Sequence, residues 1–199
     1  MKFIAKPALM IIDVQEGIKD EAHWGWNRNN LDAEENIEIL LSQWRKQKLP
    51  VIIVQHCSVS VTSPFRPDHV GNKLMDFVSI QSGEKLIQKS TASAFIKTDL
   101  LDHIDSEKIS SLIITGFVTN NSIEATARNA GDLGIDTTVV SDATACFDKI
   151  AVNGVKYSSD VVHQLSLANL KDEYADIKTT QEVLLSLNLE SKISKSKIE

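Results

Sequence analysis

Cysteine is scarce: Cys57 and Cys146 are the only two, and their wide separation gives neither a paired metal spacing nor a disulfide framework. That usage fits a reducing compartment and makes the cytoplasm the expected location. Basic residues are outnumbered, 21 Lys and Arg against 27 Asp and Glu, for a formal net charge of -6. With no basic stripe to neutralise a phosphate backbone, nucleic acid is not an expected partner. Long apolar runs are missing too. The run that follows Lys2 and Lys6 extends only from Ala8 to Ile12 before Asp13 intervenes, which is too short for a signal peptide. No stretch approaches the roughly 18 apolar residues that span a bilayer, so no membrane partner is expected. The glycines fall into no G-x-G-x-x-G or phosphate loop, which leaves nucleotide chemistry without support.

What is present is enough apolar material for one core. A chain of 199 residues that is 42% hydrophobic suits a single domain needing no staples. Short runs rich in Ile and Val, from Ala8 to Val14, Val51 to Gln55, Ser111 to Gly116, Thr137 to Val140 and more weakly Ala175 to Ile177, show little polar alternation. Strands covered on both faces of a parallel sheet have that signature. Helical periodicity lies between them, over Ala33 to Gln47, Ser122 to Leu133, Ser158 to Tyr174 and Thr180 to Leu187. The alternation predicts a three-layer α/β/α fold around a mostly parallel, doubly wound sheet of about five or six strands. The domain is expected to occupy residues 1–187, followed by a polar, Lys- and Ser-rich tail over 188–199. Between Cys57 and Gln88 runs a connection long enough to suggest a site, with a short helix predicted from Gly71 to Val78 and a short strand from Lys85 to Gln88.

Ligands of such sheets bind outside the carboxyl ends of the strands. The polar residues that end the predicted strands are Asp13 in MIIDVQ, Gln55 and His56 in VIIVQHC, Lys89 after LIQ, and the segment from Thr119 to Ser122 in TGFVTNNSIEATARNA. Asp13 could be a turn cap, Lys89 a surface lysine and Ser122 a helix N-cap. Brought to one edge, however, a carboxylate and an ammonium could hold each other charged and tune a nucleophile. A serine at a helix N-terminus would sit beside a ready oxyanion site.

These segments, together with KSTASAF from Lys89 to Phe95, VVSDATACFD and VHQLSLANLKDEYADIKTTQEVL, resemble the isochorismatase-like, or cysteine hydrolase, superfamily from about Ala8 to Leu187. The resemblance implies a dimer or tetramer and an Asp, Lys and Cys triad that hydrolyses C–N bonds of small amides. Asp13 falls on the family Asp, Lys89 on the family Lys, and Ser122 on the family Cys. It also implies a cis peptide before the nucleophile turn, expected here at Val118-Thr119.

A thiol titrates near 8.5 and an alkyl hydroxyl near 15.7, so forming the alkoxide outright costs on the order of 10 kcal/mol more than forming the thiolate. A helix dipole returns at most about 2 kcal/mol of that. Four readings stay open: a slow amidase or esterase with Ser122 as nucleophile and Lys89 or Asp13 as base; vinyl-ether hydrolysis with Asp13 as general acid; a silent metabolite-binding protein; or a serine introduced to trap substrate. Substrate contacts are expected from Gln15, His56, Trp24, Phe95, Phe117, Val118 and Thr119. Trp26 is a further candidate for a pocket wall or a subunit interface. His56, Asp68 and His69 lack the Asp-x-His arrangement that metal-dependent relatives use, so neither metal nor other cofactor is expected. Cys57 and Cys146 are expected to serve packing, and His163 a structural role.

Overall fold

The computed structural model describes residues 6–187; the predicted tail over 188–199 lies outside the described residues. Six parallel strands form the central sheet in the order β3-β2-β1-β4-β5-β8. They are β1 (Pro7–Ile12), β2 (Val51–His56), β3 (Lys85–Lys89), β4 (Ser111–Phe117), β5 (Asp136–Ala145) and β8 (Asp176–Lys178). Two-residue strands β6 (Lys149–Ile150) and β7 (Lys156–Tyr157) form a separate antiparallel hairpin. The helices are the single-turn α1 (Glu21–Trp24), then α2 (Ala33–Gln47), α3 (Leu100–Glu107), α4 (Glu124–Asp132) and α5 (Ser159–Leu170), with a last helical segment over 180–187.

Period-2 geometry explains why β1 shows no polar alternation. Leu9 and Ile11 face one layer, packing with Ile37, Leu40 and Trp44 of α2 and with Val183. Ala8, Met10 and Ile12 face the other, with Leu100 and Ile104 of α3, Ala127 of α4 and Leu170 of α5. Both faces are therefore covered, as the Ile- and Val-rich runs predict. The three-layer α/β/α architecture is borne out.

Chain order runs from β1 outward through β2 to β3 on one side, and from β4 through β5 to β8 on the other. The reversal falls between β1 and β4, which is where a doubly wound sheet leaves a crevice at its carboxyl edge. Gly116 makes that junction possible. It pairs with Ile12 across the strands at a φ of 116°, and a Cβ there would lie 2.0 Å from the Ile12 carbonyl oxygen. A side chain at this position would prise the two strands apart.

Several boundaries differ from the sequence reading. The helix expected from Ser122 begins only at Glu124, preceded by a π-helical turn over Thr119–Ile123. The helix expected to reach Tyr174 stops at Leu170. In place of one helix from Gly71 to Val78, two short 3-10 turns occupy Val70–Asn72 and Asp76–Val78. Helix α3 and the β6–β7 hairpin were not anticipated. No helix among the described residues is long and apolar enough to cross a membrane.

Candidate active site

At the end of β1 the backbone turns sharply: Asp13 adopts a φ of 56° while its N–H still donates to the Val54 carbonyl at 2.9 Å. The turn leaves the sheet plane and aims the Asp13 carboxylate into the crevice between β1 and β4. Lys89 arrives there from the last position of β3, and Ser122 from the π-helical turn after β4. The three side chains converge. Ser122 Oγ donates to Asp13 Oδ2 at 2.6 Å, and Lys89 Nζ lies 2.8 Å from the same carboxylate oxygen and 3.1 Å from Ser122 Oγ. The Lys89 and Asp13 side chains are 0% and 3% exposed, so each is the other's counter-charge in a site that water does not reach. Lys89 Nζ also approaches His56 Nδ1 at 3.0 Å and donates to the Thr91 carbonyl at 3.2 Å.

One valence is left over. Asp13 Oδ1 is buried and has no hydrogen-bond partner among the described residues. Asp13 as a residue belongs to the wall of a hollow of about 230 Å³, lined also by Ser122, His56, Trp24, Phe65 and Phe117. A buried carboxylate oxygen without a donor costs on the order of 1–3 kcal/mol. The walls are aromatic: Trp24 lies 5.0 Å from Phe65 centroid to centroid, and His56 lies 6.0 Å from Phe65. Trp24 is fixed by its indole N–H, which donates to the Gly17 carbonyl at 2.8 Å. The Arg28 guanidinium sits over the Phe117 ring at 5.4 Å.

His56 is held from two sides. Its backbone N–H donates to Gln15 Oε1 at 2.7 Å, and its carbonyl accepts from Gln15 Nε2 at 3.1 Å and Asn72 Nδ2 at 2.8 Å. Burial and the neighbouring Lys89 ammonium together hold its imidazole below the ordinary range, against a smaller opposing pull from Asp13.

Several residues expected to meet substrate face elsewhere. Gln15 is fully buried, because its carboxamide is spent on the His56 backbone. Thr119 turns away from the hollow, its hydroxyl 2.9 Å from His163 Nδ1, while Ser166 Oγ donates to its carbonyl at 3.2 Å; together these pin the π-helical turn to α5. Phe95 packs against the core layer containing Ala8 and Met10, because KSTASAF bends away from the crevice after Lys89. Trp26 is 58% exposed. The non-proline cis peptide is Phe117-Val118, one bond earlier than expected at Val118-Thr119. Val118 and Phe117 do line the hollow.

Phe65 and His23 also line it and were not anticipated. The long connection pointed to a site, but nothing in its pattern singled out Phe65, whereas His23 lay one residue from a named candidate. Elsewhere, Asp68 pairs with Arg66 at 2.9 Å, and His69 Nδ1 accepts from the Gly71 N–H at 3.0 Å. Burial pushes the Cys146 thiol up to about 12, and its Sγ lies 3.2 Å from the Ser159 carbonyl, which makes it an inert packing group.

Comparison with known proteins bears on the family and the fold. The isochorismatase domain model matches residues 7–182. The uncharacterised isochorismatase family protein YrdC of Bacillus subtilis is 39% identical over 179 residues, covering 90% of this chain and 95% of the relative. Maleamate amidohydrolase of Pseudomonas putida is 29% identical over 129 residues, covering 63% of this chain and 55% of that enzyme. A solved structure of an isochorismatase-family protein from Chromobacterium violaceum superposes with a TM-score of 0.88 at 38% identity, covering 94% and 97% of the two chains.

Proposed function

Because the chain belongs to the isochorismatase family of hydrolases, we propose that it cleaves the C–N bond of a small amide through an acyl-enzyme on Ser122. One observation carries this reading: the Ser122 hydroxyl donates to Asp13 at 2.6 Å while Lys89 lies 3.1 Å from the same Oγ. A relative named as an amidohydrolase supports the bond class, and a hollow of about 230 Å³ admits only a small substrate.

The steps balance as follows. Ser122 Oγ attacks the carbonyl carbon as its proton passes to Asp13 Oδ2. The C–N bond then breaks, the nitrogen leaving with that proton. Water attacks the ester, Asp13 takes the water proton, and Oγ recovers a proton as the C–O bond breaks. Negative charge on the tetrahedral oxygen develops near the amino end of α4, where the helix dipole favours it. Lys89 donates to Asp13 in every step, so the carboxylate is never stranded as an unpaired buried charge.

With serine in place of the family's usual cysteine, proton transfer to a carboxylate must accompany attack, since a free alkoxide lies about 12 pK units above an ordinary Asp, roughly 16 kcal/mol. Turnover is therefore slow. Ser122→Cys should accelerate hydrolysis of simple amides, and a fluorophosphonate should label Ser122 in the wild-type protein. Wild-type labelling that maps elsewhere, together with an inert Ser122→Cys variant, would overturn the acyl-enzyme.

The unpartnered Asp13 Oδ1 favours a second reading, in which Asp13 protonates a vinyl ether and no acyl-enzyme forms. Under that reading Ser122→Ala retains activity on vinyl ethers and Asp13→Asn abolishes it. The proposal also includes self-association as a dimer or tetramer. Ile150 and Val152 of the hairpin region and Leu165 of α5 are exposed and offer apolar surface for it. Light scattering after size exclusion reads the mass directly.

A further inference from the structure

The imidazole of His56 has two nitrogens in different circumstances. Nδ1 lies 3.0 Å from Lys89 Nζ, whereas Nε2 has no hydrogen-bond partner among the described residues and is not among their buried unpartnered atoms. The ring belongs to the wall of the hollow. An ammonium has only donors, so a ring nitrogen facing one must present its lone pair. The proton of a neutral imidazole must then sit on Nε2.

We propose that Lys89 locks His56 as its Nε2–H tautomer, and that this N–H is a substrate-contacting donor selecting substrates that carry a second acceptor oxygen beyond the scissile amide. The inference rests on the amide reading only for the substrate's other end; the tautomer and the contact stand apart from turnover. His56 then presents a free donor at Nε2 to a ligand in the hollow that it lines together with Asp13 and Ser122. That donor rejects a ligand that offers a second donor where an acceptor is required, because the two N–H groups would face each other and be left unmatched on binding.

The surroundings fix the protonation state as well as the tautomer. Of the segments packed on His56, β3 supplies Lys89 and the turn after β1 supplies Asp13, while the long loop supplies the Phe65 ring at 6.0 Å and the Asn72 carboxamide on the backbone carbonyl. His23 shares the hollow. Burial is the largest influence on His56 and the Lys89 charge the next, both disfavouring the imidazolium, with Asp13 opposing. A second positive charge beside Lys89 would repel it and remove the Nδ1 acceptor, so the Lys89 contact and the neutral ring support each other.

The test is long-range 1H–15N correlation of the imidazoles in the full chain without ligand, with His56 assigned by difference from His56→Gln. The expected spectrum shows a neutral Nε2–H ring at pH 7. Lys89→Met should loosen the tautomer preference and raise the pH at which the ring protonates. If that variant does not fold, the wild-type spectrum decides alone. An Nδ1–H ring or an imidazolium at pH 7 overturns the lock, as does a folded Lys89→Met with an unchanged tautomer.

The contact is read by titrating succinamate, an amide with a remote carboxylate, against butyramide, its counterpart without the acceptor. Succinamate should bind about tenfold tighter, the worth of one well-placed hydrogen bond. His56→Phe should erase that preference and His56→Gln, which keeps a donor, should restore part of it. A preference that survives His56→Phe overturns the contact. Binding without any hydrolysis by wild type or Ser122→Cys would count against the amide reading and leave this inference standing.

Discussion

At the carboxyl end of the sheet, Lys89 and Asp13 pair at 2.8 Å with side chains 0% and 3% exposed; at the amino end, Lys178 and Asp176 lie 3.7 Å apart with side chains 38% and 66% exposed. Asp13 borders the carboxyl-end hollow, and Asp176 and Lys178 border another of about 130 Å³ between the starts of β1, β4 and β5. Water screens the amino-end charges, and their contact is worth little. The carboxyl-end charges have given up water for each other, so removing either strands its partner. The buried pair also includes a carboxylate oxygen, Asp13 Oδ1, with no donor among the described residues. Similar residue types thus make a dry, mutually compensated charge pair at one end and an ordinary rim at the other, and burial is what separates them.

The strongest way to break that comparison is Asp13→Asn. It leaves Lys89 buried without its counter-charge, an expected loss of about 3–5 kcal/mol in stability. Activity should fall by on the order of 10⁴-fold, because both readings of the chemistry pass a proton through Asp13. Denaturant unfolding and turnover of simple amides and vinyl ethers by the folded variant check the two parts separately. Near-wild-type stability with full turnover would contradict the buried pair's role in both.

Gly116→Ala tests the junction that forms the crevice. The added Cβ meets the Ile12 carbonyl oxygen at 2.0 Å, on a backbone whose φ is 116°. Strain and overpacking together should cost about 3 kcal/mol, visible as a lower denaturant midpoint. Because Ile12 precedes Asp13, Ser122 labelling should slow in the folded fraction. A variant as stable as wild type would mean that β1 can shift without penalty.

Those two positions also show what the amino-acid pattern conveys. The strands were legible because unbroken Ile and Val runs have few other uses, and Asp13, Lys89 and Ser122 stood out as polar residues where such runs end. Helix α3 escaped notice because only Leu100 and Ile104 bury its face over eight residues, too few to establish a period. The hairpin strands β6 and β7 are two exposed residues each and carry no core signal. Within the hollow, side-chain direction was the hidden variable. Gln15 sits two residues from Asp13 yet serves the His56 backbone, and Thr119 sits three from Ser122 yet serves His163. Phe65 reaches the site through tertiary folding of a long loop, which leaves no periodic trace.

A smaller effect follows from pH. Burial holds both His56 and His163 below their ordinary range, so the unfolded chain binds protons that the folded chain refuses. Stability from these rings is present above about pH 6.5 and is lost as pH falls from there through the folded values, by at most about 1.4 kcal/mol per pH unit for each imidazole. His56→Gln should flatten part of that slope in denaturant unfolding between pH 7 and 5. The opposite sign, with stability rising on acidification, would mean that His56 is charged in the folded protein.

The smallest effect belongs to the amino end, and its smallness is the point. Lys178→Ala removes a charge whose side chain is 38% exposed and whose Asp176 contact is 3.7 Å. Stability should change by no more than about 0.5 kcal/mol, and Ser122 labelling should proceed at the wild-type rate. Lys89 and Lys178 belong to the two edge strands of one sheet, so a charge-to-neutral change at each compares a lysine in dry and in wet surroundings. A Lys178→Ala loss as large as that of Lys89→Met would mean that burial does not set the worth of the charge.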